Sequence, residues 1–561
     1  MLTSQKNFSE YLNKLDSLMQ GSEISWDQTL IGQIKNTPLL LPVIGAFSAG
    51  KSSLLNTFMG MDILPVGIAP ETELATELHF SQESYLLAIR HDGNEERLAV
   101  EDLTLVNKKS AEYSHLRLYI NSPALEAIAP LILVDMPGYG SSLENHNKAL
   151  AYYLPRGVHF IVVTSIEEGT VTQSVLRHLD TIKVYGGDFS FILSKTNLRA
   201  PEQASEITDY INEQLQLYFG ADKQVIPLDN QASDTFNKVL SAINPDLVFH
   251  NLFIDRLKDQ NIDLINQINF ASNVIKNSKN VNDNAFRALE QALDGLIQQR
   301  NKTQEDMKFR FSTPLITRCI NAIDRDLNGQ IDRLANFSTT KNAATALERE
   351  ISEIISSNLT RTLKQEMDQI SAEMIQELAV NLTKNNEMLD SLDHNWAKNI
   401  ADKTEAKLKA VSGFIETMSE RLPGKEDAGK VYRLFSTVLA ITTSVISPVL
   451  ELVIVFLPDI IRLLSSINAE EKARKNLLNS VFPGIKSELR NLLPEIVDEQ
   501  LSKLLKSVSD EFEEQINQQR ILITRYQQER EMAQETIDKQ LEIFQDLSVE
   551  LKALATSYLY C

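Results

Sequence analysis

The chain has 561 residues, enough for several domains that each bury a full core. Its formal net charge of −21 argues against general nucleic-acid binding, which needs a basic footprint. Two cysteines, Cys319 and Cys561, give neither a disulfide framework nor metal-ligand spacing.

The first residues, Met1-Leu2-Thr3-Ser4-Gln5-Lys6, lack the apolar core of a signal peptide, and Cys561 is not in a lipidation box, so neither a leader nor a lipid anchor is expected. Phe8, Leu12, Leu15 and Met19 recur at helical spacing, and Trp26, Leu30 and Ile31 suggest a second stripe. Beyond them, β-like runs at 39–44, 116–120, 131–134, 160–164, 189–193 and 225–228 alternate with helical patterns near 171–184 and 203–218. That alternation predicts a sheet with parallel pairing and a ligand site at the carboxyl ends of its strands.

The first apolar run leads into Gly45, Ala46, Phe47, Ser48, Ala49, Gly50, Lys51 and Ser52, a complete GxxxxGK[ST] loop, with Ser53 opening a helix-like segment. Glycines let backbone N–H groups approach phosphate oxygens, and a helix start adds partial positive charge. Lys51 is expected at the β- and γ-phosphates of a nucleoside triphosphate and the Ser52 hydroxyl on Mg²⁺. Residues 64–73 form a Pro-rich segment whose Thr72 fits a switch that closes over the γ-phosphate and completes the Mg²⁺ shell; Thr76 is the alternative, and a plain surface loop stays open. The run 131–134 ends in Asp135-Met136-Pro137-Gly138. Asp135 is expected to hold Mg²⁺ through water, and the Gly138 N–H to sense the γ-phosphate. Another strand ends in Ser194-Lys195-Thr196-Asn197, where a guanine reader would carry [NT]-K-x-D. Asn197 lacks the second carboxylate acceptor, a loss on the order of 1–3 kcal/mol. Lys195 can still lay its stem over a base.

Glycine and proline then thin out. Residues 1–245 hold 14 Gly and 11 Pro, and residues 246–561 hold 6 of each, so the first part reads α/β and the second all-α. Leu347, Ile351, Ile354, Leu359, Leu363, Met367, Ile370, Met374 and Leu378 mark one apolar face of a long helix; Leu501, Leu505, Val508, Phe512 and Ile516 mark a returning one. Antiparallel bundle packing follows. Between the two, residues 434–450 are 17 in a row without a formal charge, broken by Pro448 and flanked by Arg421, Lys425, Lys430, Arg433, Lys472, Arg474 and Lys475. Leu434, Phe435, Val438, Leu439, Ile441, Val445, Ile446 and Leu450 suit an apolar hairpin entering an anionic membrane surface. A hairpin buried in the bundle core is the other reading of the same run.

The loop, the Pro-rich switch, the DMPG turn, the SKTN string and the long helical half together resemble the bacterial dynamin-like GTPases. The strings GAFSAGKSSLLN, ILPVGIAPETELATEL and INSPALEAIAPLILVDMPGYGS carry the resemblance, which covers about residues 37–245; the rest matches by architecture. The resemblance implies an α/β P-loop GTPase domain at 37–245 and a long all-α antiparallel helical bundle with a hydrophobic tip. In that plan residues 1–36 are helices on the neck, 246–420 neck and trunk, 421–475 the tip, and 476–561 the return. It implies GTP and Mg²⁺ as ligands, and self-association through the G domain. A second dynamin-like partner is a further implication, as is a cytoplasmic location at the periphery of a membrane. It implies hydrolysis coupled to membrane remodelling. Ser48 takes the loop place that positions the attacking water and a charge-compensating cation. Phe47 stands where eukaryotic dynamins have glutamine, so that part of their mechanism does not transfer. Tyr139 stands where Ras-like proteins place a water-positioning glutamine, so turnover is expected to be slow until a second G domain completes the site. A nucleotide-gated scaffold without turnover and an ATP-using relative are the alternatives.

Overall fold

The computed structural model describes the chain except residues 21, 23, 25, 67–73, 110–111, 139–148, 151, 155, 185–186, 229–231, 279–282, 338–342, 385–469, 529–533 and 561. Its first part is an α/β layer structure. Nine strands among the described residues form one sheet: β1 Leu39–Gly45, β2 Thr76–Phe80, β3 Tyr85–Arg90, β4 Glu95–Leu98, β5 Tyr113–Ile120, β6 Leu131–Asp135, β7 Phe160–Ser165, β8 Phe189–Ser194 and β9 Val225–Pro227. Their spatial order is β4-β3-β5-β2-β6-β1-β7-β8-β9. Every residue of β1 is buried, as expected of a central strand covered on both faces and therefore apolar throughout.

Parallel pairing holds for β6-β1-β7-β8-β9 and for β2-β5. It fails elsewhere: β2 runs antiparallel to β6, and β3 antiparallel to both β4 and β5. The helix Lys51–Met59 lies between β1 and β2, yet β2 joins the sheet beside β6 in the opposite sense, and β3 turns back into β4 through Gly93 at φ +81°, a tight connection that makes that pair antiparallel. Neither β3 nor β4 is among the expected strands; for β4 the reason is that Glu95, Glu96 and Arg97 give it a polar, half-exposed face.

The register fixes the site. Val43 of β1 lies beside Asp135 of β6, Gly45 beside Val163 of β7, and Thr76 of β2 beside Asp135 from the other side. Three strand ends therefore meet where the glycine loop begins.

The second part is helical: Pro245–Ser278, Asp283–Gly329, Ile331–Phe337, Ala343–Lys384, Glu470–Asn476, Phe482–Gln528 and Gln534–Tyr558. The Asp283–Gly329 helix packs against both Ala343–Lys384 and Phe482–Gln528. Leu347, Ile351, Ile354, Leu359, Leu363, Met367, Ile370 and Met374 are all fully buried, as are Leu501, Leu505 and Val508 on the returning helix. Each such side chain contributes roughly 1.5–3 kcal/mol by leaving water. At the other end, Thr3–Met19 packs on Pro245–Ser278 and Gln534–Tyr558. Ser4 donates to Asp246 from its backbone N–H at 2.8 Å, and Asn261 donates to Tyr11 Oη and to the Leu551 carbonyl, both at 3.2 Å. No helix among the described residues is long and apolar enough to cross a membrane. The expected membrane residues, Leu434 to Leu450, lie outside the described residues.

Candidate nucleotide site

The loop is forced on the chain by contact and dihedral. A Cβ on Gly45 would sit 2.2 Å from the Val163 carbonyl oxygen, a strand atom that cannot move aside. Gly50 has φ +84°, a conformation that costs other residues dearly, and the helix Lys51–Met59 starts directly after it. The first N–H groups of that helix have no intrahelical partner, so they face the loop as donors for an anion. We expect Gly45→Ala to weaken nucleotide binding at least about tenfold and to cost about 1–3 kcal/mol of stability through overpacking. A nucleotide titration and a thermal melt check both; unchanged values in the two would contradict the close approach.

Lys51 is buried, and its Nζ donates to the carbonyls of Gly45 at 3.0 Å and Ala46 at 3.1 Å. Burial pushes its ammonium down to about 8, partly offset by the charge of Asp135. Asp135 is fully buried at the end of β6. Its Oδ2 accepts from the Ser52 hydroxyl at 2.8 Å, while Oδ1 has no hydrogen-bond partner. Burial pushes the carboxyl up to about 6, against the pull of Lys51 and the Ser52 hydrogen bond. A buried carboxylate oxygen without a partner costs about 1–3 kcal/mol or more, so it points to something it is built to receive. A hard divalent cation fits an oxygen set of carboxylate and hydroxyl. No cluster of three His, Cys, Asp or Glu that could hold a metal ion occurs among the described residues.

Gly138 is buried three residues beyond Asp135. Ser48 and Ser53 are exposed at the loop surface. Thr72 and Tyr139 lie outside the described residues. Thr76, the other candidate, is the first residue of β2; it is buried, and its hydroxyl donates to the Leu74 carbonyl at 3.4 Å.

At the far side, the Ser194 hydroxyl points inward to the carbonyls of Ala49 at 2.7 Å and Thr164 at 3.0 Å, so it braces the glycine loop from behind. Lys195 adopts φ +56° and its Nζ pairs with Glu167 at 3.2 Å. Thr196 donates to the Leu228 carbonyl, and Leu228 N–H donates to the Leu193 carbonyl at 2.8 Å, tying the SKTN turn to the end of β9. Asn197 is exposed beside them.

Three further residues hold the site, and no motif marked them. Asn56 of the loop helix grips residues 63–64: it donates to the Leu64 carbonyl at 2.8 Å and accepts from Leu64 N–H at 2.9 Å. Asn107 accepts from Leu74 N–H at 2.8 Å. The two asparagines thus pin the chain on either side of residues 67–73. Glu77 of β2, fully enclosed, accepts from Arg117 Nε at 3.2 Å and Tyr153 Oη at 3.1 Å, with His79 Nε2 at 2.9 Å. The alternation Thr76-Glu77-Leu78-His79 placed Glu77 and His79 on one face, but nothing local said that this face is covered.

Residues 41–196 match the model of the Dynamin family. Residues 41–196 thus form a dynamin-family domain within the α/β half. "Dynamin-like protein 2" of Campylobacter jejuni is 28% identical to the chain over 183 residues, covering 32% of this chain and 29% of that protein. An "Uncharacterized protein in xynA 3'region" of Caldicellulosiruptor is 24% identical over 213 residues, covering 36% of this chain and 52% of that protein. The chain thus spans about half or less of the length of these relatives. A solved structure described as "an oligomerised bacterial dynamin pair", with a mechanism for "long range sensing and tethering of membranes", aligns with 94% of this chain and 92% of its own at 14% identity and a TM-score of 0.33. In the dynamin-family domain, the matched span runs from β1 to the SKTN turn and so contains Lys51, Asp135 and Gly138.

Proposed function

We propose that this chain is a dynamin-like GTPase that couples nucleotide hydrolysis to membrane binding and remodelling. The observation that carries the reading is the group of Lys51, Ser52 and Asp135 at the meeting of β1, β6 and β7, with Lys51 and Asp135 buried and one Asp135 oxygen unpartnered. Lys51 exchanges its bonds to the Gly45 and Ala46 carbonyls for the β- and γ-phosphates, so the loop holds its shape before substrate arrives. Ser52 and Asp135 would hold Mg²⁺, Asp135 through water, and Thr72 would complete the set. When bound, such an ion would offset the negative charge that develops on the phosphate groups. The Gly138 N–H reads the γ-phosphate, and Ser48 orients the water that attacks it. No glutamine stands at position 139, so turnover stays slow until a second copy of the domain or a membrane completes the site. Residues 434–450 supply the membrane contact at the periphery of an anionic leaflet.

Asn197 favours a second reading at the base: the same machine accepting ATP, or holding nucleotide as a gate with little turnover. Asn197→Asp is expected to raise the preference for GTP over ATP about tenfold, by restoring a charge-assisted acceptor pair. Competition binding of the two nucleotides checks this; an unchanged ratio removes Asn197 from the base site.

A further inference from the structure

The cleft where the dynamin-family domain meets the helical half is built for an anion. It is a cavity of about 520 Å³ between the domain helix Gln173–Val184 and the helices Asp283–Gly329, Ile331–Phe337 and Ala343–Lys384. Four arginines line it, Arg177, Arg325, Arg333 and Arg361, against two acids, Asp180 and Asp326, a lining of net charge +2 (four minus two) in a chain of −21.

The four cations are unequally committed. Arg177 is only 7% exposed, yet its Nε and Nη1 have no hydrogen-bond partner. Its Nη2 donates to Glu350 at 2.9 Å and lies 3.5 Å from Glu353, two acids that do not line the cavity; Nη1 lies 3.7 Å from Asp326. Arg325 is exposed and forms no ion pair among the described residues. Arg361 reaches Asp180 at 3.3 Å, a part-exposed pair that solvent screens, and the part-exposed Arg333 reaches the buried Glu350 at 3.3 Å, the carboxylate it shares with Arg177. Neutral donors join them: Gln330 and Asn358 are on the wall as well.

We propose that this cleft binds a compact oxyanion of two or more negative charges, a di- or polyphosphate group. Guanidinium forks converging from separate elements match phosphate oxygens bidentately. Because Arg177 belongs to the dynamin-family domain and the other three to the helical half, an occupant straps the two together. None of the residues lining it belongs to the glycine loop.

Inorganic pyrophosphate titrated calorimetrically into the full chain tests it, with Lys51→Ala, Arg325→Ala and Arg325→Ala/Arg361→Ala variants in parallel. Arg325 is exposed and unpaired, so its variant should keep the wild-type melting temperature. One pyrophosphate equivalent should bind to Lys51→Ala, weaken about fivefold or more with Arg325→Ala and further with the double variant, and weaken as salt rises. A second equivalent of GDP, beyond the first, binding with the same arginine dependence would show that the phosphates are carried on a nucleotide. No binding to Lys51→Ala, or binding indifferent to both arginine variants, would overturn the proposal.

Discussion

Replacing Lys51 with alanine should lower kcat/KM for GTP hydrolysis by about 10²–10³-fold, the usual loss when a preorganised donor to developing negative charge is removed. Lys51 is buried between the loop carbonyls and Asp135, so its ammonium is already stripped of water. That desolvation would make each interaction of the lysine with a bound phosphate stronger than the same contact in water. Stability should change little. The variant loses two hydrogen bonds of about 1 kcal/mol each but also sheds the cost of a buried cation. The two effects separate in a single preparation: nucleotide titration and phosphate release should collapse while the melting curve stays near wild type. A variant that unfolds would assign Lys51 to the fold; one that binds and turns over normally would remove it from the site.

Glu77→Ala should do the reverse, destabilising the chain by about 3–5 kcal/mol, the expected cost of leaving a buried ion-pair partner uncompensated. Its carboxylate is the meeting point of Arg117, His79 and Tyr153, with His115 Nε2 at 3.8 Å. Burial alone would raise its pKa, but the His79 hydrogen bond and the charge of Arg117 hold it far below the usual carboxylate range. A folded pKa below the unfolded one contributes stability above the ordinary carboxylate range, lost as pH falls through the folded value. His115 adds to the same acid sensitivity. Burial pushes it down to about 3, so from about pH 6.5 downward the unfolded chain takes up a proton that the folded one refuses. Denaturant melts of wild type and His115→Gln between pH 7 and 4 should diverge, the wild type losing stability faster. Parallel curves would show that His115 is not held neutral. Glu77 lies four residues after residues 67–73 and Tyr153 five after residues 139–148, so their hydrogen bond ties β2 to the chain that follows the DMPG turn.

Motifs imposed by the backbone were the legible part of this site. Gly45 and Gly50 are required by a 2.2 Å approach and a positive φ, and Asp135 by its place at a strand end, so residue type and spacing reveal them directly. The apolar stripe from Leu347 to Met374 was legible for a similar reason, since a face repeating about every four residues has one sensible way to be buried. Long-range polar partnerships were not. Arg177 and Glu350 are 173 residues apart, Glu77 and Tyr153 76 apart, and each looks locally like a solvated surface charge or ring. Strand β4 escaped for want of apolar contrast, and Asn56 and Asn107 because an asparagine that grips a neighbouring backbone reads like any turn residue.

Phosphate release from GTP and from ATP, measured on the full chain with Mg²⁺ and with or without anionic liposomes, tests the central claim most directly. The account predicts slow GTP turnover that rises several-fold on liposomes and disappears in Lys51→Ala. Failure to bind or hydrolyse either nucleotide, with liposomes present and the protein folded, would contradict it.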